Sequence, residues 1–367
     1  MDEPDDWVLG QLSRDTDGMG TTSVIIVTYQ AEAFVGPVLD ALFADPDGPD
    51  EVVVVDNAST DDTVAIVDRP GVTVVALTEN VGFGGGCHVG VEASTGSTIV
   101  FLGHDATPCS GWIGPLVDAL DDPTVGASMP TIEDADHPGR FNTSGGHLTY
   151  FGLAWVSDAG QVIPDNEPGV IEVAFPSGAA MALSRETWNR FGGFRRSLFM
   201  YHEDTDLGWR MRLSGLRIVR VPRSRVRHRY DFARSPQKMY WLERNRHVLL
   251  ATNYRPATRL LLAPAFLLAD LGVWFVAARD GFARQKVQAR RNYVVDRSRW
   301  IAERRNVERN RSIGDAAMLR TMDSSVSGAQ QVASPRGSRL IDTILASYLR
   351  AVLPVVAFFD RRAGFDA

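Results

Sequence analysis

Thr22-Ser-Val-Ile-Ile-Val-Thr28 is an almost unbroken β-branched run. Such a run predicts a strand buried on both faces. Apolar residues then recur at Phe34, Val35, Val38, Leu39 and Leu42, a spacing that predicts a helix over 34–43. Asp45-Pro-Asp-Gly-Pro breaks the pattern as a turn cluster. Glu51-Val-Val-Val-Val-Asp56 predicts a second buried strand, and the polar Asn57-Ala-Ser-Thr-Asp-Asp-Thr63 leads into a second helix. Val72 to Leu77 and Ser97 to Leu102 predict a third and a fourth strand. Strands alternating with helices imply a parallel, doubly wound α/β sheet. Runs at 125–131, 147–156, 170–175 and 216–221 predict a mixed second half, with a helix over 185–191.

Ligands of such sheets bind outside the carboxyl ends of the strands. Tyr29, Asp56, Asn80 and Asp105 all fall at those ends. An acid that ends a strand is also a common way to begin a turn, so Asp56 has a bland reading beside the functional one. Asn80-Val-Gly82-Phe-Gly-Gly-Gly-Cys-His88 imitates a dinucleotide loop, but Cys87 stands where a third glycine is required. The glycines allow close approach of a phosphate or sugar, or simply a tight turn before a helix over 86–94. No phosphate-binding Gly-x-x-x-x-Gly-Lys-Ser/Thr loop occurs.

The densest chemistry lies in Phe199-Met-Tyr-His-Glu-Asp-Thr-Asp-Leu-Gly-Trp-Arg210. Glu203, Asp204 and Asp206 stand at the expected start of a helix that Ser214-Gly215 ends. Asp204 is placed to cap that helix, and its charge is favoured at a helix N-terminus. A capping role and a catalytic role both fit the local sequence.

Composition narrows the classes. The 367 residues are 44% hydrophobic and 23% charged, enough for a large core. The net charge of −7 argues against a nucleic-acid partner. Cys87 and Cys109 form neither a disulfide framework nor a zinc spacing, as expected of a reducing cytoplasm. Residues 1–20 are rich in Asp, carry no basic-then-apolar leader, and read as a disordered terminus.

In this order, Thr28-Tyr29, Val-Val-Asp56-Asn57-Ala-Ser, Asn80-Val-Gly82-Phe-Gly-Gly, Asp105, Ser177-Gly178-Ala, Gly-Gly-Phe194, Glu203-Asp204-x-Asp206-Leu and His228 form a pattern. It resembles a family 2 glycosyltransferase of the GT-A fold, particularly the rhamnosyltransferase-type members that build bacterial cell-envelope polysaccharides. The resemblance covers roughly residues 21–255, including Tyr240-Trp-Leu-Glu-Arg-Asn-Arg246. It implies that Tyr29 and Asp56 contact the base and ribose of a nucleotide-diphospho-sugar, and that Asn80 and Gly82 line its cleft. Asp105 matches the last acid of the family's metal motif and His228 the distal histidine, together holding magnesium or manganese. Asp204 matches the catalytic base, with Glu203 and Asp206 in support. The first position of the metal motif is Gly103, which offers no ligand. The residues alone also read His228, set among arginines, as a solvated surface histidine.

Inverting transfer of a sugar needs one positioned carboxylate to take the acceptor proton. A divalent cation serves the leaving diphosphate, so no second carboxylate need act as acid. The implied acceptor is a lipid-linked or glycan hydroxyl. The alternatives are a catalytically impaired nucleotide-binding membrane adaptor, suggested by Gly103, and a nucleotidyltransferase, which Tyr29-Gln-Ala-Glu-Ala does not support for want of a basic loop.

Leu260 to Ala278 is apolar apart from Asp270, and 284–311 follows with ten Arg and Lys against three acids. These segments, with a second apolar helix over 340–359, predict a peripheral seat on an anionic inner membrane face. Pro264 and Asp270 favour an interfacial, re-entrant or core helix over a simple span. Two core helices of a homo-oligomer are the alternative. The expected organisation is a disordered 1–20, a glycosyltransferase domain over 21–255, an apolar-then-basic region over 256–311, a linker over 312–338 and a helix over 339–367.

Overall fold

The structure, a computed structural model, describes residues 20–229, 235–326 and 338–365. The expected disorder of 1–20 lies outside them but for Gly20. The N-terminal half opens with β1 (Thr22–Thr28), α1 (Val35–Ala44), β2 (Glu51–Asp56), α2 (Thr63–Val67), β3 (Val72–Ala76), α3 (Gly82–Glu92) and β4 (Thr98–Gly103). It continues with β5 (Ala106–Pro108), α4 (Ile113–Asp118), β6 (Val125–Asp134), β7 (Phe141–Thr143), β8 (Gly146–Leu148), β9 (Ala154–Val156) and β10 (Ile171–Glu172). Then come β11 (Ala180–Ser184), α5 (Arg185–Phe191), α6 (Glu203–Leu213) and β12 (Arg217–His228). The rest is helical: α7 (Pro236–Asn253), α8 (Pro256–Arg279), α9 (Ala283–Val295), α10 (Arg297–Asn310), α11 (Asp315–Leu319) and α12 (Ser338–Arg362).

The main sheet has the order β10-β12-β6-β11-β4-β1-β2-β3. β3, β2, β1 and β4 are mutually parallel, as the alternating pattern predicts. β11 enters antiparallel to β4, and β12 runs parallel to β6, which makes the second half mixed.

The β-branched runs bury both faces because successive side chains point to opposite sides. Val24, Ile26, Val52, Val54, Val100 and Leu102 pack against α1, α2 and α4. Ile25, Val27, Val53, Val55, Ile99 and Phe101 pack against α3, α5 and α6. Each such side chain contributes roughly 1.5–3 kcal/mol of transfer free energy. The helices cover the faces, so the strand ends are left to form a cleft.

A third core joins the helical extension to the sheet. Trp209 and Leu213 of α6 meet Val248 and Leu249 of α7, Leu262 of α8, Trp300 of α10, Met318 of α11 and Val356 of α12. Within the expected linker, α11 is a helix whose Ala316, Met318 and Leu319 are buried in that core. α8 is unbroken through Pro264. Its Asp270 turns inward, accepting from Arg246 Nη2 at 2.8 Å, Lys286 Nζ at 2.8 Å and Arg290 Nη1 at 3.0 Å. One face of α8 is therefore fastened to α7 and α9. The other carries exposed Leu260, Leu267, Leu271 and Phe275.

Candidate active site

A cavity of about 740 Å³ opens at the carboxyl ends of β1 and β4. It is lined by Tyr29, Asn80, Gly82, Asp105, Glu203, Asp204 and His228. Of the residues expected there, two are not in the lining: Asp56 and Asp206.

Asp56 is buried at the end of β2, and its carboxylate is taken up locally. It accepts from Thr28 Oγ1 at 3.0 Å, Ser59 Oγ at 2.5 Å and the Ser59 amide at 2.8 Å. The turn reading of this acid is thus realised, and Asn57, the residue after it, reaches the cleft instead. Asn57 Nδ2 donates to the Gly82 carbonyl at 3.1 Å while its Oδ1 accepts from the Val81 amide at 3.1 Å. Asn80 Oδ1 accepts from the Gly82 amide at 2.9 Å. Gly82 has φ +79°, and a Cβ there would lie 2.3 Å from the Phe199 carbonyl oxygen. Only glycine lets this wall of the cleft approach the loop that carries the acids.

Three residues of that loop, Phe199, Tyr201 and His202, have positive φ of 65°, 65° and 69°. Each such residue costs of order 1–3 kcal/mol, so the surroundings must impose it. α7 does so: Asn245 Nδ2 lies 3.0, 2.9 and 2.8 Å from the carbonyls of Leu198, Met200 and Tyr201. Burial pushes the His202 imidazole down to about 4, so it is neutral at physiological pH.

α6 begins at Glu203, with His202 in the capping position and no side-chain cap. Asp204 is therefore not the N-cap. It lies within the first turn, its Oδ1 accepting from the Thr205 amide at 2.6 Å and Thr205 Oγ1 at 3.1 Å. Its Oδ2 accepts from the Gly178 amide at 2.9 Å, across the cleft floor. Burial raises the Asp204 carboxyl above its usual range, and the amides of Gly178 and Thr205 oppose that rise. Glu203 rises much further, through burial and then the charge of Asp204, and its buried Oε2 has no partner within hydrogen-bonding distance. Of the pair, Glu203 is pushed the further from its usual range.

Asp206 has a different environment. It is fully buried and accepts from Arg195 Nε at 2.8 Å, Arg210 Nε at 2.7 Å and Asn253 Nδ2 at 3.1 Å. Burial raises its carboxyl, but the Arg195 and Arg210 charges outweigh that and hold it below the usual range. Asp206 anchors the first turn of α6 to α7 and is not in the cavity lining. Its charge is neutralised, so it adds nothing to the elevation of Asp204; burial is the cause.

His228 ends β12 and is buried, contrary to its reading as a surface residue. Its Nε2 lies 3.3 Å from Asp105 Oδ1, and its Nδ1 lies 3.3 Å from Asn142 Oδ1 of β7. Burial raises the Asp105 carboxyl, and the hydrogen bond and charge of His228 more than reverse it. An imidazole nitrogen and a carboxylate oxygen converging in this way fit a divalent cation. Gly103 has a spatial reason: a Cβ there would meet Asp105 Oδ1 at 2.9 Å. The absence of a side chain at 103 gives room to the Asp105 carboxylate.

Glu243, His247 and Asp270 also have the composition of a metal site. Lys286 Nζ and Arg246 Nη2 already bridge Glu243 and Asp270, so protein cations do there what an ion would.

Asn57 stands in the pattern that carries the resemblance but is given no role there, and the local sequence gave no sign of His104, Asn142, Trp155 or Phe175; all five line the same cavity. His104 follows Gly103 and its Nδ1 lies 3.2 Å from the Val27 carbonyl.

Residues 23–186 match the family described as Glycosyl transferase family 2. The chain is similar to an N-acetylglucosaminyl-diphospho-decaprenol L-rhamnosyltransferase of Mycobacterium tuberculosis (strain ATCC 25618 / H37Rv). The two are 29% identical over 237 residues, which span 56% of this chain and 75% of that protein. Among solved structures it is similar to GalNAc-T7 with UDP, GalNAc and Mn2+, at TM-score 0.52 and 18% identity over 65% of this chain. The match spans 48%, about half, of that longer chain. It is also similar to S. aureus TarS 1-349 in complex with UDP-GlcNAc, at TM-score 0.50 and 17% identity over 94% of this chain and 92% of that one. At these identities the structural likeness is one of fold.

Proposed function

We propose, for a chain that carries a family 2 glycosyltransferase domain on a GT-A fold, that it moves a hexose, rhamnose among the candidates, from a nucleoside-diphosphate donor to a hydroxyl of a lipid-linked acceptor. The transfer inverts the anomeric centre. The observation that carries this reading is the placement of two carboxyls on one turn at the cavity: Asp204 directed by the Gly178 amide, and Glu203 beside it with a buried oxygen that has no partner.

In the proposed step the acceptor oxygen forms a bond to the anomeric carbon as the bond from that carbon to the diphosphate oxygen breaks. Asp204 takes the acceptor proton, and its elevated pKa makes it a stronger base while it stays ionised at working pH. Burial favours the neutral form of Glu203, which lines the cavity beside Asp204 and donates a hydrogen bond to a substrate hydroxyl. Tyr29, Asn57, Asn80 and the Gly82 backbone seat the nucleotide. Asp105 and His228 would hold magnesium or manganese, which when bound stabilises the charge gathered on the leaving diphosphate. His202, neutral and next to Glu203, adds no charge to the pair.

The acceptor class is suggested by the mycobacterial relative, whose name is that of an enzyme acting on a decaprenol-linked sugar. Two helices, Pro256–Arg279 and Arg339–Arg362, are long and apolar enough to cross a membrane. Because α8 is fastened along one face, an in-plane seat suits it better than a span. Exposed Leu260, Leu267, Leu271 and Phe275 would enter the lipid, with exposed Arg284, Arg291 and Arg297 beside anionic headgroups on the cytoplasmic side.

A panel of nucleotide-sugars with manganese or magnesium, read by melting temperature, tests the donor. One base and one sugar should stabilise the full chain above the rest. No stabilisation by any member would remove the transferase reading and the nucleotide-binding adaptor alike, whereas stabilisation without transfer to any acceptor would favour the adaptor.

A further inference from the structure

The nucleotide residues and the metal pair account for part of the cavity wall. The β8–β9 hairpin supplies another part through Trp155, and no role has yet been given to it. None of Tyr29, Asn57 or Asn80 lies on that hairpin. Trp155 shares the cavity with Asp204, the group assigned to the acceptor proton.

Three observations make Trp155 more than a hairpin side chain. It is half-buried, with one ring face stacked on His147 at 5.4 Å between centroids and 23° between planes. His147 is in turn held from far along the chain: its Nδ1 lies 2.6 Å from Asp323 Oδ2. The backbone at 323 is tied to the same hairpin, its amide donating to the Leu148 carbonyl at 2.9 Å and its carbonyl accepting from the Tyr150 amide at 3.1 Å. An isolated two-stranded hairpin is marginal in water. The strap at 323, beyond α11 in the helical extension, fixes this one and with it the plane of the indole.

We propose that Trp155 is the platform on which the acceptor's sugar ring stacks, with His147 and Asp323 as positioning residues. This rests on the glycosyltransferase reading and names the acceptor end of its site. An indole fixed on one face presents a rigid apolar plane at low entropic cost, and the C–H face of a pyranose is complementary to it. The sugar's hydroxyls are then left at the rim, where one can face Asp204. The same arrangement links acceptor binding to the helical extension that carries the apolar stripe. The ligand class is a pyranose on a lipid diphosphate.

The test measures binding, so it does not depend on turnover. A short-chain N-acetylglucosaminyl diphospholipid is titrated into the full chain by calorimetry. Nucleotide-sugar stabilisation is followed separately by melting temperature. Trp155→Ala should bind the probe about tenfold or more weakly, with donor stabilisation unchanged. Trp155→Phe should recover most of the affinity. Asp323→Asn, which keeps an acceptor for His147, should bind nearly as the parent, and Asp323→Ala more weakly. Probe affinity in Trp155→Ala within twofold of the parent overturns the platform. So does a parallel loss of donor stabilisation, which is what a purely structural tryptophan would give. A parent that binds the probe yet is stabilised by no nucleotide-sugar would count against the donor reading and leave the platform standing.

Discussion

The amide of Gly178 donates to Oδ2 of Asp204 at 2.9 Å. It is a single bond between the segment leading into β11 and the first turn of α6, and it sets the direction of the proposed base. The other oxygen is occupied by Thr205. Asp204→Asn can satisfy Gly178 or Thr205 through its one carbonyl oxygen, but it cannot take a proton. Turnover should fall by roughly a hundredfold or more, the scale of general-base catalysis, with donor stabilisation retained. Turnover within a few-fold of the parent would move the base elsewhere.

Glu203→Gln separates the more strongly raised carboxyl from its neighbour. The folded Glu203 carboxyl is raised above its unfolded value, so folding takes up a proton. The stability it contributes is full below the unfolded pKa and is lost as pH rises through the folded one. Glutamine needs no proton. The variant should therefore melt about 2 °C or more above the parent at pH 7, with a flatter pH dependence between about 5 and 8. Calorimetry across that range checks it; coincident curves would mean that Glu203 is ionised in the folded state.

Asp206→Asn should do the reverse. Its carboxyl is depressed by Arg195 and Arg210, so its contribution is present above the unfolded pKa and lost only as pH falls through the folded value. Removing it leaves two buried arginines short of a partner, a loss of about 3–5 kcal/mol. The melting temperature should fall by about 10 °C at neutral pH, a far larger fall than for Asp204→Asn. Equal stability of the two variants would refute the division of roles.

Asp105→Ala tests the metal pair. Donor stabilisation should be larger with manganese than with chelator in the parent, and that difference should shrink several-fold in the variant. Donor affinity indifferent to metal in both proteins would exclude the site.

Membrane seating is tested on the full chain, because α8, α11 and α12 share a core with α6 and cannot be cut away cleanly. Leu267→Ser, Leu271→Ser and Phe275→Ser together alter only exposed positions. The parent should co-float with anionic liposomes at low salt, and the triple variant several-fold less. Absence of co-flotation by the parent favours an oligomer interface on this face.

Much of the sheet was legible because its strands are continuous β-branched runs whose pattern needs no partner to be read. α3 was read too short: glycines are poor helix formers, so 82–85 looked like a turn. Packing prevails there, since Cβ atoms at Gly86 and Gly90 would strike Val27 and Ile25 of β1 at 2.7 and 2.4 Å. In the site, Asp204 and Asp206 are locally indistinguishable acids. What separates them is Gly178 on one side and Arg195, Arg210 and Asn253 on the other, and of these only Arg210 stands at a helical spacing from Asp206. The link from Trp155 through His147 to Asp323 spans 176 residues between its last two members. No local pattern encodes such a contact.

The bonds from Asn245 to the strained turn have a consequence for any attempt to recombine this enzyme with others. The residues that match the family end at 186, and the carboxylates begin at 203. The side chain that holds their loop in shape comes from later still. A chimaera joined anywhere between β12 and Asn245 would inherit these carboxylates from one parent and the side chain that shapes their loop from the other. A junction after α7 keeps those two together and parts the strap at Asp323 from the hairpin that it holds.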